Sequence, residues 1–206
     1  MNTTISMDHI VVSAETLQAG IDHVQSALGV QMAPGGKHPG MGTHNALLGL
    51  GDVYLEVIAI DPDAPDPGRA RWFDLDNFSG APRLTNWVAR TNNMAATLQA
   101  GPSDWGAPMA LSRGDLTWTV AIAEDGKLPF DGACPGVIDW GTTAHPSTRL
   151  PDVGCRLSDW QITHPDADDL RTTFNALPGG LDAQINAGGF ALQARIETPT
   201  GLKTLT

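Results

Sequence analysis

Residues 7–12 read Met7-Asp8-His9-Ile10-Val11-Val12, and a helical pattern follows that ends at Ser26-Ala27-Leu28-Gly29. The same order of a short apolar strand, a polar break and an amphipathic helix starts again at Leu84-Thr85-Asn86-Trp87-Val88-Ala89. A third, shorter copy starts at Leu157-Ser158-Asp159-Trp160-Gln161-Ile162. Repeated units of this kind pack against one another, and a site forms at the seam that they share.

The composition narrows the classes of function. The 206 residues carry a net charge of -11 and no basic stripe, which argues against nucleic acid and against an anionic membrane surface. No apolar run approaches the roughly 18–20 residues of a membrane span, and the first residues lack the basic and apolar segments of a secretory signal. Cys134 and Cys155 lie in no zinc-binding spacing, and nothing requires a disulfide between them. We therefore expect a cytoplasmic protein.

The first unit shows the clearest pattern of elements. A strand is predicted over 8–12, capped by Ser13, and a helix follows in which Leu17, Ile21, Val24 and Leu28 recur at helical spacing up to Gly29. Two further strands are predicted over 43–50 and 53–60 on either side of a tight turn. The Gly- and Pro-rich stretch 34–40 between helix and strands predicts a loop.

The later units follow the same plan. In the second, strands are predicted over 109–112, 116–123 and 136–140, and a short helix near 71–75 precedes the unit. In the third, Pro165 is predicted at the first helical position, with three aspartates in the first turn. The expected modules cover about 7–60, 83–141 and 153–206, the last being partial.

Two polar side chains interrupt the apolar strands of the first unit. His9 lies inside an apolar run, where a buried imidazole needs partners for its ring nitrogens. Glu56 lies in the middle of the strongest strand, and burying an unpaired carboxylate is costly. If the first and last strands of the unit are neighbours, both project from one sheet face, where they would suit Fe, Mn, Ni, Zn or Co.

Three stretches of the first unit resemble a known family. They are Asp8-His9-Ile10-Val11, Gly42-Thr43-His44-Asn45-Ala46-Leu47 and Tyr54-Leu55-Glu56-Val57-Ile58, and they look like the glyoxalase-like domain branch of the vicinal oxygen chelate superfamily. Residues 86–91 and 135–141 are similar to its second half. The resemblance implies an α+β fold of paired βαβββ modules that form a half-open barrel, with an additional partial β-α-β element at the C-terminal side.

The resemblance also implies a set of metal ligands. In the metal-bearing members, ligands come from the first and last strands of each module, which implies His9, Glu56, Asn86 and Asp139 around a divalent metal. The second-module position has two alternatives, because an offset of 77 residues places Asn86 where the first module has His9, whereas an offset of 78 places Trp87 there. A slip of one residue exchanges the faces of a strand, so the two alternatives differ completely. No motif for a nucleotide cofactor is present.

Further side chains are candidates for the same seam. His44 is a candidate ligand or acid-base residue if its face of the strand lines the pocket, and Asn45 on the other face is a candidate substrate contact. Aromatic side chains predicted to wall a flat ligand, or to pack in the core, are Tyr54, Trp87, Trp118 and Trp140. Arg90 is a candidate partner for an anion. We expect His145 and His164 in connector or capping positions, and His23 and His38 at the surface.

These observations favour two classes of function. The first is a divalent-metal-dependent lyase or isomerase, acting on a small substrate with adjacent oxygens, in which Glu56 or His44 moves the proton. The second is a metal-free protein that binds a small molecule, as in resistance or sequestration. An extradiol-type dioxygenase is a further alternative, if His9, His44 and Glu56 form a two-histidine, one-carboxylate set. The only partners expected are a small-molecule ligand and a second copy of the chain.

Overall fold

The computed structural model describes residues 2–206, and its elements form three successive units. The first module contains β1 (Ile5–Ser13), α1 (Leu17–Leu28), β2 (Ala33–His38), β3 (Thr43–Gly49) and β4 (Tyr54–Ile60). The second contains β5 (Arg83–Thr91), α2 (Met94–Ala100), β6 (Ala107–Arg113), β7 (Leu116–Ile122) and β8 (Gly136–Asp139). The C-terminal unit contains β9 (Arg156–His164), α3 (Ala167–Ala176), β10 (Gln184–Ala187), β11 (Ala191–Thr198) and β12 (Gly201–Leu205).

The first two modules share one curled sheet of eight strands, in the order β2-β3-β4-β1-β5-β8-β7-β6. The order is symmetric about the antiparallel pair β1–β5, and in each module the last strand lies parallel to the first. The C-terminal unit forms a second sheet, in the order β10-β9-β11-β12. The expected α+β class with paired βαβββ modules is confirmed.

Apolar residues cover both faces of the eight-stranded sheet. The helices pack on the convex face, and the largest core cluster continues from there to the C-terminal sheet, where Trp87 contacts Trp160 and Phe174 at centroid distances of 5.9 and 5.8 Å. A second cluster lies on the concave face and includes Val11, Ile58 and Trp118. Because apolar side chains occupy both faces, the strands read as nearly continuous apolar runs.

Helix α1 shows why the sequence folds locally as it does. Thr16 caps it by accepting from the backbone N of Ala19, so the cap is Thr16 and not Ser13 as predicted. Gly29 ends it in the left-handed conformation, as predicted. Gly20 lies so close to β4 that a Cβ there would come within 2.4 Å of Val57. Gly20 therefore allows the helix to pack tightly against the strand.

Two other local predictions differ from the structure. The Gly- and Pro-rich stretch forms β2 instead of a loop, because it pairs with the edge of β3 across an irregularity between Pro34 and Lys37. Helix α3 begins at Ala167, so Pro165 precedes it.

Cys134 and Cys155 are both free and buried. Within residues 2–206, no helix is long and apolar enough to cross a membrane.

The connector over 61–82 positions the site, because it reaches the concave face. Its 3₁₀ helix, Trp72–Asn77, includes Phe73 and Asp74 at φ values of 62° and 54°. The backbone N of Asp74 donates to the carbonyl of Gly126, 3.0 Å away, and so ties the connector to the second module.

Candidate functional site

A β-bulge in β1 places two consecutive side chains in hydrogen-bond contact. Met7 pairs with Ala89, and His9 pairs with Val88, so Asp8 is an extra residue in the ladder. Consecutive residues of a regular strand point to opposite faces, but a bulge re-aims one of them. As a result, Oδ1 of Asp8 lies 2.6 Å from Nδ1 of His9. The carboxylate of Asp8 therefore fixes the orientation of the imidazole of His9 through Nδ1.

The buried Asp8 is the centre of a hydrogen-bonded network. Its Oδ2 accepts from Nε1 of Trp140 at 2.9 Å and lies 3.0 Å from Nε2 of His145. On the far side of the imidazole, Nε2 of His9 lies 3.5 Å from Oε2 of Glu56. The four ionisable groups thus form a row, from His145 near the surface through Asp8 and His9 to Glu56 inside the cavity.

The two carboxylates keep the imidazole of His9 charged. Burial by itself would lower the pKa of His9, but the contacts with Asp8 and Glu56 outweigh it and raise this pKa to about 9. Burial also opposes the ionisation of both carboxylates, yet the histidine contacts hold the pKa of Asp8 and that of Glu56 below their usual values. At neutral pH the centre therefore contains an imidazolium between two carboxylates.

A guanidinium lies near Glu56 on the other side. Asn45 donates to Oε1 of Glu56 at 2.6 Å, and its own oxygen accepts from Arg113 at 3.1 Å. Arg113 also donates to Nε2 of His38 at 3.0 Å. Burial lowers the pKa of His38 to about 4, which keeps this imidazole neutral and able to accept that bond. Among the described residues, no carboxylate forms a salt bridge with Arg113, so its charge is available to a ligand anion.

These groups line a cavity on the concave face, which we call the His9 cavity. It is a small cavity, with a volume of about 50 Å³, and it is open to solvent at its mouth. Tyr54 stacks on the ring of His9 at a centroid distance of 4.4 Å. The other walls are mainly aromatic and aliphatic: Leu47, Trp72, Phe73, Val88, Trp118, Val120, Ile138, Trp140 and Pro146. A mostly apolar cavity with a few converging polar groups is typical of small-molecule sites.

The structure brings together about half of the side chains predicted for the site. Those that line the His9 cavity are His9, Asn45, Tyr54, Glu56, Trp118 and Trp140. Their individual roles stay predictions.

The remaining predicted side chains lie elsewhere. His44 is absent from the cavity lining because Asn45 and Leu47 occupy the inward face of β3, so the proposed two-histidine, one-carboxylate set does not form around it. Trp87 is in the core and donates to the carbonyl of Ala133, and Arg90 donates to the carbonyl of Asp52. Asp139 lines surface clefts instead, because its neighbour Ile138 takes the inward face of β8.

The register of the central strands decides between the two offsets. His9 pairs with Val88, so their side chains share one face of the sheet. Asn86, two residues before Val88, lies on that face too, whereas Trp87 lies on the opposite face and cannot be the counterpart of His9. The offset is 86 − 9 = 77 residues, and Trp87 then takes the core position of Ile10. A second bulge, at Thr85, reproduces the one at Asp8, and Nδ2 of Asn86 donates to Oγ1 of Thr85 at 2.9 Å. Asn86 is therefore the second-module counterpart of His9, although it lines a neighbouring cavity.

The counterpart of Glu56 has no side chain. Glu56 lies opposite Val11 in the β1–β4 pair, and Gly136 lies opposite Val88 in the β5–β8 pair. Since Val88 is the counterpart of Val11, Gly136 occupies the position of Glu56. A Cβ on Gly136 would lie 3.7 Å from the ring of Phe73 and 3.7 Å from Leu128, so apolar groups fill the space beyond it.

The donor set therefore does not fit a divalent metal held by four ligands from two modules. Among the described residues, the second module supplies no carboxylate to the His9 cavity, because Asp139 faces away from it. Asn86 lines the neighbouring cavity. Within residues 2–206, no three His, Cys, Asp or Glu side chains are grouped to hold a metal ion. Catalytic metal sites usually need three protein ligands. This cavity offers His9 and Glu56, whereas the ring nitrogens of its third possible ligand, His38, are already bonded to Arg113 and Thr43.

Four side chains that line the cavity or lie directly behind it were not predicted to be part of the site: Asp8, His38, Arg113 and His145. Asp8 was missed because, in a regular strand, its side chain would lie on the face of the sheet opposite to that of His9. The bulge turns it toward His9. His38 and His145 were expected at the surface or in a cap, and His145 does cap a turn by accepting from the backbone N of Ser147. Arg113 lies at the end of the edge strand β6, and the curl of the sheet brings its side chain to Asn45 on the other side of the half-barrel.

The comparisons with known proteins agree with this architecture. A family model described as a glyoxalase-like domain matches residues 7–177. No curated protein matches the chain. A hypothetical protein from Staphylococcus aureus superposes with a TM-score of 0.61 at 14% identity, covering 91% of this chain and 88% of that one. Methylmalonyl-CoA epimerase from Mycobacterium tuberculosis superposes at 0.43 and 15% identity, covering 69% and 91%. At 14% identity, the likeness to the Staphylococcus aureus protein concerns the fold.

Proposed function

Because the chain belongs to the glyoxalase-like domain family, we propose that it is an enzyme that moves a proton on a small carbonyl or carboxylate substrate. The substrate is held in the His9 cavity by the chain's own cations. The reaction class is that of an isomerase or lyase acting next to a carbonyl group. This proposal retains the proton transfer expected from the sequence and replaces the expected metal with the imidazolium of His9 and the guanidinium of Arg113.

The charges of the cavity support binding of an oxygen-rich substrate. His9 offers Nε2–H and Arg113 offers its guanidinium, and both can donate to a carbonyl or carboxylate oxygen. Aromatic and aliphatic walls exclude water, which strengthens these interactions. Donors fixed in a dry cavity stabilise the negative charge that develops when a proton leaves the carbon beside a carbonyl group.

The carboxylate of Glu56 is the proposed general base. Its Oε1 accepts from Asn45, which leaves Oε2 to face His9 across a gap of 3.5 Å. A substrate oxygen that accepts from Nε2 of His9 would bring its neighbouring carbon beside Oε2 of Glu56. The base removes the proton, the imidazolium stabilises the resulting enolate, and the proton returns to the same carbon or an adjacent one.

The observation on which the proposal rests most is the row Asp8–His9–Glu56. Burying a carboxylate on each side of one histidine costs free energy unless that histidine is positively charged. The arrangement keeps a proton donor and a proton acceptor within a few ångströms, which is the geometry of a proton-transfer centre.

Exchange of substrate protons with solvent tests this function directly. We expect the protein in D₂O to exchange the α-protons of at least one member of a panel of pyruvate, 2-oxobutanoate, phenylpyruvate and dihydroxyacetone faster than buffer, as followed by proton NMR. The exchange should disappear in Glu56→Gln and persist in Glu124→Gln, a matched change of an exposed glutamate. If panel members bind and shift cavity resonances but none exchanges, the protein is a small-molecule binder instead.

A further inference from the structure

Asn86 has a buried acceptor with no partner. The residue is 2% exposed, its Nδ2 donates to Thr85, and its Oδ1 has no hydrogen-bond partner among the described residues. A buried polar atom without a partner costs free energy, and such an atom at a cavity wall is commonly satisfied by a ligand or by water. Asn86 lines a second cavity on the concave face, which we call the Asn86 cavity.

The walls of the Asn86 cavity favour a flat, neutral group. Three phenylalanines line it, Phe73, Phe78 and Phe190, together with Leu84 and Leu128. Phe190 is 42% exposed, which is unusual for so large an apolar side chain. The charged side chains of the lining are two cations, Arg83 and Lys127, and two carboxylates, Asp74 and Asp131. Their charges balance, so the cavity has no preference for an ion.

The two cavities adjoin. Phe73 lines both of them, and no other described residue does so. Asn86 lies diagonally across the β1–β5 pair from His9, a relationship that separates two residues by roughly 7–8 Å on one sheet face. A single molecule of modest length therefore spans from His9 to Asn86 if it passes the ring of Phe73.

We propose that the Asn86 cavity binds the non-reacting end of the same substrate, and that this end is an aromatic group with one hydroxyl, as in a phenol. The hydroxyl donates to Oδ1 of Asn86 and the ring packs against the phenylalanines. Resting on the proposed function, this narrows the substrate to a hydroxyaryl carboxylate or ketone whose carbonyl end lies at His9 and Arg113.

Phenol alone tests the cavity independently of catalysis. In nitrogen-15 NMR spectra, phenol should shift the side-chain amide of Asn86 and the backbone amides of Thr85 and Gly132, and should bind about three- to tenfold more tightly than anisole, the gain expected for one hydrogen bond. Asn86→Leu should abolish that preference while anisole binding persists, which shows that the cavity still forms. Asn86→Asp, which keeps an acceptor, should retain the preference. Equal binding of phenol and anisole to the wild-type protein would overturn the assignment.

Linked probes test whether the cavities act together. We expect 4-hydroxyphenylacetate to bind more tightly than phenol, with the gain lost in Arg113→Met, and 4-methoxyphenylacetate to lose the contribution of Asn86. Phenol binding at Asn86 with no gain from the added carboxylate would overturn the shared substrate. Loss of α-proton exchange over the panel, with the Asn86 preference intact, would count against the proposed reaction alone.

Discussion

His145 and Asp8 are 137 positions apart in sequence, yet Nε2 of His145 lies 3.0 Å from Oδ2 of Asp8. His145 precedes the short 3₁₀ helix Pro146–Thr148, whose first residue lines the His9 cavity. Its Nδ1 accepts from the backbone N of Ser147, which leaves Nε2–H to donate to the carboxylate. The contact thus fastens the connector after β8 to the bulge in β1, directly behind His9.

Removing this fastening should loosen the connector. In His145→Phe, the ring remains but the donor is lost, so we expect faster amide hydrogen exchange over residues 142–149 with little change in β1, as measured by mass spectrometry. Thr142→Ala, an exposed change in the same connector that leaves His145 and its partners intact, is the control. Unchanged exchange in His145→Phe would show that packing of Pro146 alone holds the connector.

The free energy of unfolding should depend on pH through His9. The pKa of His9 is raised from 6.5 to about 9 in the folded protein. A raised pKa stabilises the folded state fully below pH 6.5, and this contribution is lost as the pH rises to 9. We expect a loss of up to about 3 kcal/mol in this window, measured by urea unfolding. Asp8→Asn should flatten the dependence, and an equally steep curve in that variant would assign it to other groups.

Glu56→Gln should stop proton exchange while leaving the fold intact. The amide keeps the shape of the side chain and an acceptor for Asn45, but it cannot take a proton. We expect a loss of at least about a hundredfold in the exchange rate, the scale of general-base catalysis. The pKa of His9, followed by imidazole NMR, should also fall because one neighbouring carboxylate is gone. A variant with a lowered pKa and full activity would rule out Glu56 as the base.

Arg113→Met should weaken binding of carboxylate ligands. The side chain keeps its apolar stem and loses its charge, so we expect the dissociation constant of a bound carboxylate to rise about tenfold or more, the scale of a charge-assisted hydrogen bond. Isothermal titration calorimetry measures it. Arg149→Met is the control, because Arg149 forms a surface salt bridge with Asp115. Equal losses in the two variants would point to the overall charge and not to the cavity.

A divalent metal should not be bound tightly through His9. In the second module, Gly136 occupies the position that corresponds to Glu56, so no carboxylate is present there, and apolar groups surround the glycine. We expect protein purified without chelators to contain much less than one equivalent of Fe, Mn, Ni, Co or Zn by inductively coupled plasma mass spectrometry, and His9→Ala to leave this content unchanged. One equivalent that is lost in His9→Ala would restore the metal-dependent mechanism.

Much of the fold was predictable from local patterns. The helical spacing up to Gly29 and the apolar runs of the strands are properties of short segments, and they predicted most elements of both modules. β2 was missed because its Gly- and Pro-rich sequence forms a strand only when β3 offers an edge to pair with. The expected cytoplasmic location and homodimer stay predictions.

The candidate site, like the fold, was predictable from the sequence only in part. The residue types of His9 and Glu56, placed in apolar strands, identified by themselves a buried polar pair in the first module. The tertiary structure decided what surrounds that pair. A bulge brings Asp8 beside His9, and the register of β1 on β5 makes Asn86 and Gly136 the second-module counterparts. Folding of the connectors then adds His145 and Phe73. Bulges and strand register depend on pairing between distant segments, and a one-residue shift exchanges the two faces of a strand, so no local pattern could specify them.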